Sequence, residues 1–401
     1  MTDRWTGGST EGTGNDSYSS RGIVSIDMTI GVVVVNFGEP AEPTEEAVVP
    51  YLERIFFQNA SLEGADTEAE ARERSRELAE RRAPALLDEY EGIGGSPLNG
   101  QARAQTEGLE AELRERGYDA RTYVGMQFTD PLVKDAVAAA HDDGVDRIVG
   151  LPVYPLCGPS TTVAALDRIE EAISELDRDV PFDPISGWHR HPAYTRLRAD
   201  NVRRFVASEE LSLDEPGTTL VFSAHGTPEY YLEEGYRYGT YVTEFCEALA
   251  GALGTEYELG YQNHENRDIP WTEPDVEALI ESLGSDSGTE RVVVEPVSFM
   301  HEQSETLSEL DIELREEAED AGLEFHRVPI PHDDEQFPAL LADLAEPFLG
   351  EFDPGYYNFR QCQCRDVPGT MCLNAPVERI PFDPETDESA ERVDSAESPS
   401  R

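Results

Sequence analysis

The chain has 401 residues, 38% of them hydrophobic and 8% aromatic, enough apolar material for a substantial core and for two domains of ordinary size. Its formal charge is −52, and Lys134 is the only lysine among 31 basic residues, so nucleic acid, whose phosphates need cationic surface, is excluded as a partner. The same acidity fits a salt-rich cytoplasm, where at about 1 M salt charges are screened beyond roughly 3 Å; an acidic protein made for cations or basic partners shows the same balance.

Residues 1–27 are rich in Gly, Ser and Thr without periodicity and are expected to stay unfolded. Short β-branched runs then alternate with amphipathic stretches. In chain order these are strand 30–36, helices 45–57, 69–91 and 102–116, strand 120–125, helix 131–141, strand 147–153 and helix 162–176. The Pro- and Asp-bearing stretch 181–184 marks a crossing. Beyond it come helix 192–207, strand 218–223, helix 241–253, strand 256–261, helix 276–283, strand 291–296, helix 304–321, strand 324–328 and helix 336–349. This alternation predicts an α/β chain of two lobes, 28–185 and 186–350, each a parallel sheet flanked by helices. A Cys-rich extension, 351–379, and an acidic unfolded tail, 380–401, follow. No run approaches the ~20 apolar residues of a membrane span, and the N-terminus lacks the order of a secretion signal. A soluble, cytoplasmic protein is therefore expected, with membrane contact at most peripheral and disfavoured by the acidic surface.

Two segments carry the chemistry. His225 follows an apolar strand in Ser-Ala-His-Gly, and Glu305, Glu309 and Glu313 follow another at a spacing of four. Both sit between a strand and a helix, where open α/β sheets place their ligands. An imidazole exchanges protons near neutral pH, and a helix stacks carboxylates four apart into one row. Together they suit the joint movement of a metal ion and protons. A histidine bonded to a loop carbonyl and a solvated acidic face are the rival readings. Among the cysteines, Cys362, Cys364 and Cys372 form Cys-x-Cys-x7-Cys, and Cys157 lies in the loop after strand 147–153. Four thiolates satisfy a [2Fe-2S] cluster, with a four-thiolate zinc site and unmetalled thiols as alternatives. Cys246, inside an amphipathic helix, reads as a small buried apolar residue.

Read together, these segments resemble the ferrochelatase family, which inserts ferrous iron into a porphyrin. The resemblance runs through Asn36-Phe37-Gly38-Glu39-Pro40, Gly92-Ile93-Gly94-Gly95-Ser96-Pro97-Leu98, Tyr123-Val124-Gly125-Met126, Tyr154-Pro155 with Ser160-Thr161-Thr162, and Phe222 to Gly226. It closes with Tyr261-Gln262, Pro270-Trp271, and Pro296 to Phe299 leading into Glu305. It implies two Rossmann-like, chelatase-like lobes with the porphyrin in the cleft between them. It further implies His225 as the base for pyrrole protons, also able to bind metal, Glu305 as the facing active-site carboxylate, and Glu309 and Glu313 as a metal or proton path. Phe37, Trp271 and Met126 stand at or beside cleft-lining positions, while Arg82, Tyr90 and Ser96 match substrate-binding ones, with Arg81 a further candidate for propionates. Members that carry a [2Fe-2S] cluster take three ligands near the C-terminus and one mid-chain, as Cys362, Cys364, Cys372 and Cys157 would supply. Two positions depart from the family: Gln303 stands where a histidine is common, with His301 two residues earlier, and Gln127 stands where a basic residue is usual. A chelatase for cobalt or a sirohydrochlorin-type ring, and a non-enzymatic porphyrin- or haem-binding redox sensor, are the alternative functions.

Overall fold

The computed structural model describes residues 28–59, 67–264, 269–286, 288–350 and 354–375; the ends expected to stay unfolded, 1–27 and 380–401, lie outside the described residues. Strand β1 (Ile30–Asn36) reads IGVVVVN and is buried throughout, as a central parallel strand covered on both faces must be. It pairs in parallel with β2 (Ala120–Met126) and β3 (Arg147–Pro152), and β4 (Phe182–Pro184) completes the order β2-β1-β3-β4. A second parallel sheet repeats this order as β6-β5-β7-β8, from β5 (Thr218–His225), β6 (Glu258–Gln262), β7 (Arg291–Pro296) and β8 (Glu324–Arg327). The chain reverses its direction of winding at β1 in one sheet and β5 in the other. Such switch points open a crevice at the strand C-termini, and the C-terminal ends of β1 and β5 lead to Phe37 and His225.

Two helices, α1 (Glu45–Gln58) and α2 (Glu68–Ile93), pack against each other beyond the end of β1. A capping box starts α2: Thr67 Oγ1 accepts the Glu70 N–H at 3.3 Å and the Glu70 carboxylate accepts the Thr67 N–H at 3.1 Å. Helices α3 (Leu98–Glu115), α4 (Val133–Asp142) and α5 (Ala164–Ser174) complete the first half; α6 (Pro192–Ser208), α7 (Glu229–Glu233), α8 (Tyr238–Leu253), α9 (Val276–Asp286), α10 (Arg315–Asp320) and α11 (Gln336–Ala345) belong to the second. Helix α11 returns to α3, where Arg116 binds Asp343 at 2.7 Å and Glu346 at 2.8 Å. One apolar core runs from Val34 and Leu109 through Trp188 and Tyr194 to Phe222, Phe245 and Phe337. The two sheets are therefore held against a common interior, and the crevice between them has rigid walls.

Three departures from the sequence expectation matter. Strand β4 has only three residues beside prolines and reads as a crossing. Strand β5 continues to His225, so the histidine ends the strand instead of following it. The stretch expected as one helix over 304–321 is a π-helix at Glu305–Leu314 that tightens into α10.

Gly38 turns the chain off β1 with φ +81°, and a Cβ there would lie 2.4 Å from Thr129 Oγ1 and 2.6 Å from Met126 Cβ. Left-handed backbone costs a residue with a side chain about 1–2 kcal/mol before any clash. Gly38→Ala is expected to lose at least that much in denaturant unfolding at fixed salt; an unchanged midpoint would contradict the assignment.

Candidate active site

His225 is held by its strand. Its N–H donates to Ser298 Oγ at 3.0 Å, and its carbonyl accepts the Tyr238 hydroxyl at 2.9 Å. Nδ1 stands 2.6 Å from the Gly226 carbonyl, which can only accept, so Nδ1 carries the proton and Nε2 keeps its lone pair. The loop-carbonyl bond of a structural histidine is thus present, yet it uses one nitrogen only. Gly226 makes the tight exit possible, since a Cβ there would meet Asn263 Oδ1 at 1.9 Å.

Gln262, paired in register with His225 on the neighbouring strand, ties the histidine strand to the acidic row. Its Nε2 donates to the Glu305 carbonyl and to Glu309 Oε2, both at 3.0 Å, while its Oε1 accepts Ser223 Oγ at 2.9 Å. Glu305 Oε2 accepts Gln303 Nε2 at 2.7 Å and lies 3.1 Å from Ser304 Oγ. Burial, reinforced by the Glu305 charge, pushes the Glu309 carboxyl up to about 8. Glu313 is exposed at the outer end, with Ser308 Oγ 3.4 Å from its carboxylate. The row therefore runs from the cleft to solvent, on a π-helix, a form concentrated at functional sites.

Glu39 belongs to this group and was not singled out from the sequence. It is fully buried, and its carboxylate accepts the Ser304 hydroxyl at 2.6 Å and the Ser304 N–H at 3.1 Å. Burial first, then the Glu305 charge, pushes it up to about 7. Ser304 has one hydroxyl proton but touches both Glu39 and Glu305, so a further proton on one of these carboxyls completes the chain of hydrogen bonds. An acid wedged between the Gly38 turn and Pro40 was the available signal, easily lost among 83 acidic residues.

A cavity of about 310 Å³ brings His225, Glu305 and Glu309 together with Phe37, Tyr51, Phe128, Trp271 and Phe299. Phe37 and Phe128 pack with ring centres 4.6 Å apart, and Trp271 meets His264 edge-on at 5.2 Å. Not every expected contact faces it. Tyr90 and Ser96 are buried behind the wall, near Glu39 and Ser304, and do not line the cavity. Met126 is fully buried and Arg81 is exposed away from the cavity. Arg82 does line it, but pairs with Glu89 at 2.7 Å. His301 lines it too, with Nε2 bonded to Gln105 Oε1 at 2.7 Å and burial pushing its pKa down to about 3. It stays neutral, and Gln303, not His301, reaches Glu305. Gln127 is buried, accepting the Tyr154 hydroxyl at 2.6 Å and donating to the Ser160 carbonyl at 3.3 Å.

The ferrochelatase family model matches residues 29–348. The chain belongs to the ferrochelatase family. Ferrochelatase of Synechococcus sp. (strain RCC307) is 33% identical over 327 residues, covering 80% of this chain and 82% of its own. That of Synechococcus sp. (strain JA-3-3Ab) is 34% identical over 334 residues, 81% of this chain and 95% of its own, and that of a Nostoc species is 33% identical over 324 residues, 79% and 81% respectively. The enzyme is a metal–porphyrin chelatase of haem biosynthesis, inserting Fe²⁺ into a porphyrin. The other-metal and non-enzymatic alternatives give way to this reading.

A second candidate ligand set lies outside the cleft. The sulfurs of Cys157, Cys362 and Cys364 all lie within 4.8 Å of one another; Cys372 is outside that trio, buried on a short strand whose register places it opposite Arg360, two residues before Cys362. The tail that brings three of them is laced to the middle of the chain: Ser186 N–H donates to the Met371 carbonyl at 2.8 Å, Leu373 N–H to Gly187 at 3.0 Å, and Asn374 Nδ2 to Pro155 at 3.0 Å. Hydrogen bonds among the thiols push Cys362 well down and Cys157 up. Ala375 N–H donates to Cys372 Sγ at 3.2 Å, and the Tyr241 hydroxyl lies 3.4 Å from Cys364 Sγ. Soft donors alone suit an iron–sulfur cluster or zinc, not a hard cation. Cys246 lies apart, buried in α8.

Proposed function

We propose that the porphyrin lies between His225 and Glu305, and that these two residues divide the work of metal insertion. Fe²⁺ enters and two pyrrole protons leave, with no change of oxidation state. His225 Nε2 is the lone pair available for those protons. Glu305 meets the iron and accepts a proton from the ring side; a carboxylate holds Fe²⁺ loosely enough to release it. Glu309 and the exposed Glu313 continue the row, giving protons or metal a route to water. Phe37 and Trp271 supply apolar walls, and Arg82, paired with Glu89, supplies a polar edge. The observation carrying this reading is that a fixed imidazole, whose Nε2 has no hydrogen-bond partner among the described residues, and a row of carboxyls line one aromatic-walled cavity. An anaerobic assay of Fe²⁺ insertion into protoporphyrin and coproporphyrin in molar KCl tests it. Turnover of either supports it and ranks two- against four-propionate substrates, while tight binding with no turnover of both would contradict it.

For the four cysteines the reading is a [2Fe-2S] cluster, which when bound supplies a one-electron centre. Cys157 from the loop and Cys362, Cys364 and Cys372 from the tail would hold it, and it would pin the tail to that loop. Cys364→Ser is expected to remove visible absorbance and acid-labile sulfide together; a colourless wild type carrying zinc would overturn it. The acidic surface supports a soluble enzyme in a salt-rich cytoplasm, and among the described residues no helix is long and apolar enough to cross a membrane.

A further inference from the structure

The cations beside the cleft differ in what balances them. Arg82 is paired with Glu89 at 2.7 Å, and Arg54 faces Asp130 at 3.8 Å. Arg168, on α5, makes no ion pair among the described residues. Its Nη2 donates to Gln58 Oε1 at 2.6 Å, its Nη1 donates to the Gln127 carbonyl, and its guanidinium lies 5.0 Å over the Phe128 ring. All three partners are neutral. The acids nearest it in sequence are engaged elsewhere: Asp167 and Glu170 both bind Arg365 of the tail, and Glu171 acts on it only through space.

A half-buried guanidinium with no carboxylate is out of keeping in a chain of net charge −52, and burial costs such a charge unless a counter-ion arrives. The cavity lies close by. Gln58 and Phe128 are both in its wall, so one carboxamide stands between the charge and the cleft. Gln58 Nε2 donates to the Ser160 carbonyl at 2.8 Å, and Ser160 lines the same wall. Arg168 is thus held in place by neutral acceptors, one of which is a flexible side chain at the cavity surface.

We propose that Arg168 is a specificity-determining residue that grips a carboxylate side chain of the porphyrin, which takes the place of Gln58 Oε1 at Nη2. The assignment rests on the porphyrin reading given above. A guanidinium matches a carboxylate in charge and fork geometry, and in a partly enclosed site the pair is screened less by salt than an exposed one.

The test is fluorescence titration of the full-length enzyme, in molar KCl and one detergent, with a dicarboxylate porphyrin and its dimethyl ester. Wild type is expected to bind the diacid at least ~10-fold more tightly than the ester. Arg168→Gln should remove most of that preference while changing ester affinity less than about twofold. Arg168→Lys should restore part of it. Gln58→Glu, which places a resident carboxylate on the guanidinium, should also lose the preference and serves if Arg168→Gln does not fold. Equal losses on diacid and ester, or an unchanged preference in Gln58→Glu, would overturn the assignment. A wild type that binds neither porphyrin sinks the porphyrin reading itself, whereas one that binds both equally sinks only the role of Arg168.

Discussion

Replacing His225 with alanine is expected to lower the rate of Fe²⁺ insertion by about 10²–10⁴-fold, the range over which a positioned general base acts, while porphyrin affinity stays within a few-fold of wild type. The split follows from the site. The His225 ring contributes one nitrogen to a loop carbonyl and leaves the other free, whereas the cavity walls are built by Phe37, Tyr51, Phe128 and Trp271. Removing the ring therefore takes away the proton acceptor and little of the binding surface. Anaerobic single-turnover kinetics beside a fluorescence titration separates the two quantities. Equal losses in rate and affinity would make His225 a wall residue.

The second large effect concerns stability and pH. In the folded, metal-free enzyme Glu39 titrates at about 7 and Glu309 at about 8, against an ordinary 4.5, chiefly because burial disfavours their charged forms. Between pH ~4.5 and ~7–8 the folded chain keeps protons that the unfolded chain has released, so stability falls as pH rises through this window. For Glu39 alone the displacement corresponds to something on the order of 3 kcal/mol, full below the unfolded value and gone above the folded one. Glu39→Gln keeps the shape without the ionisation. Its unfolding free energy should approach and then exceed that of wild type as pH rises from 5 to 9, measured in denaturant at constant molar KCl. A difference that does not vary with pH would mean that the Glu39 carboxyl is not buried against the Glu305 charge.

Legibility in the sequence depended on how local each feature is. His225 and Glu305 were readable because each follows a β-branched run and is surrounded by family motifs, and the parallel sheets were readable from the alternation that places them. Glu39 was not, because its hydrogen-bond partner Ser304 arrives from 265 residues away. Nor did the sequence show that Tyr90 and Ser96 are buried behind the cleft wall and do not line it. Arg82 looked available for an anionic ligand, but its partner Glu89 lies seven residues on, outside the three- and four-residue spacings that helix reading checks. Arg168 was silent for the opposite reason, since the lack of an ion pair among the described residues is visible only in three dimensions. For the acidic row the sequence left a regular and a locally widened helix open, because ten residues with helical apolar spacing look alike in either; the structure gives the widened form. Cys-x-Cys-x7-Cys was plain, yet only the folded tail brings those sulfurs to Cys157.

A crystal structure of the enzyme with bound porphyrin shows whether an imidazole and a carboxyl face each other over the tetrapyrrole. The ring plane should lie in the cavity with His225 Nε2 toward one face and the Glu305 carboxyl toward the other. A ring seated outside that cavity, or with both side chains on one face, would contradict it.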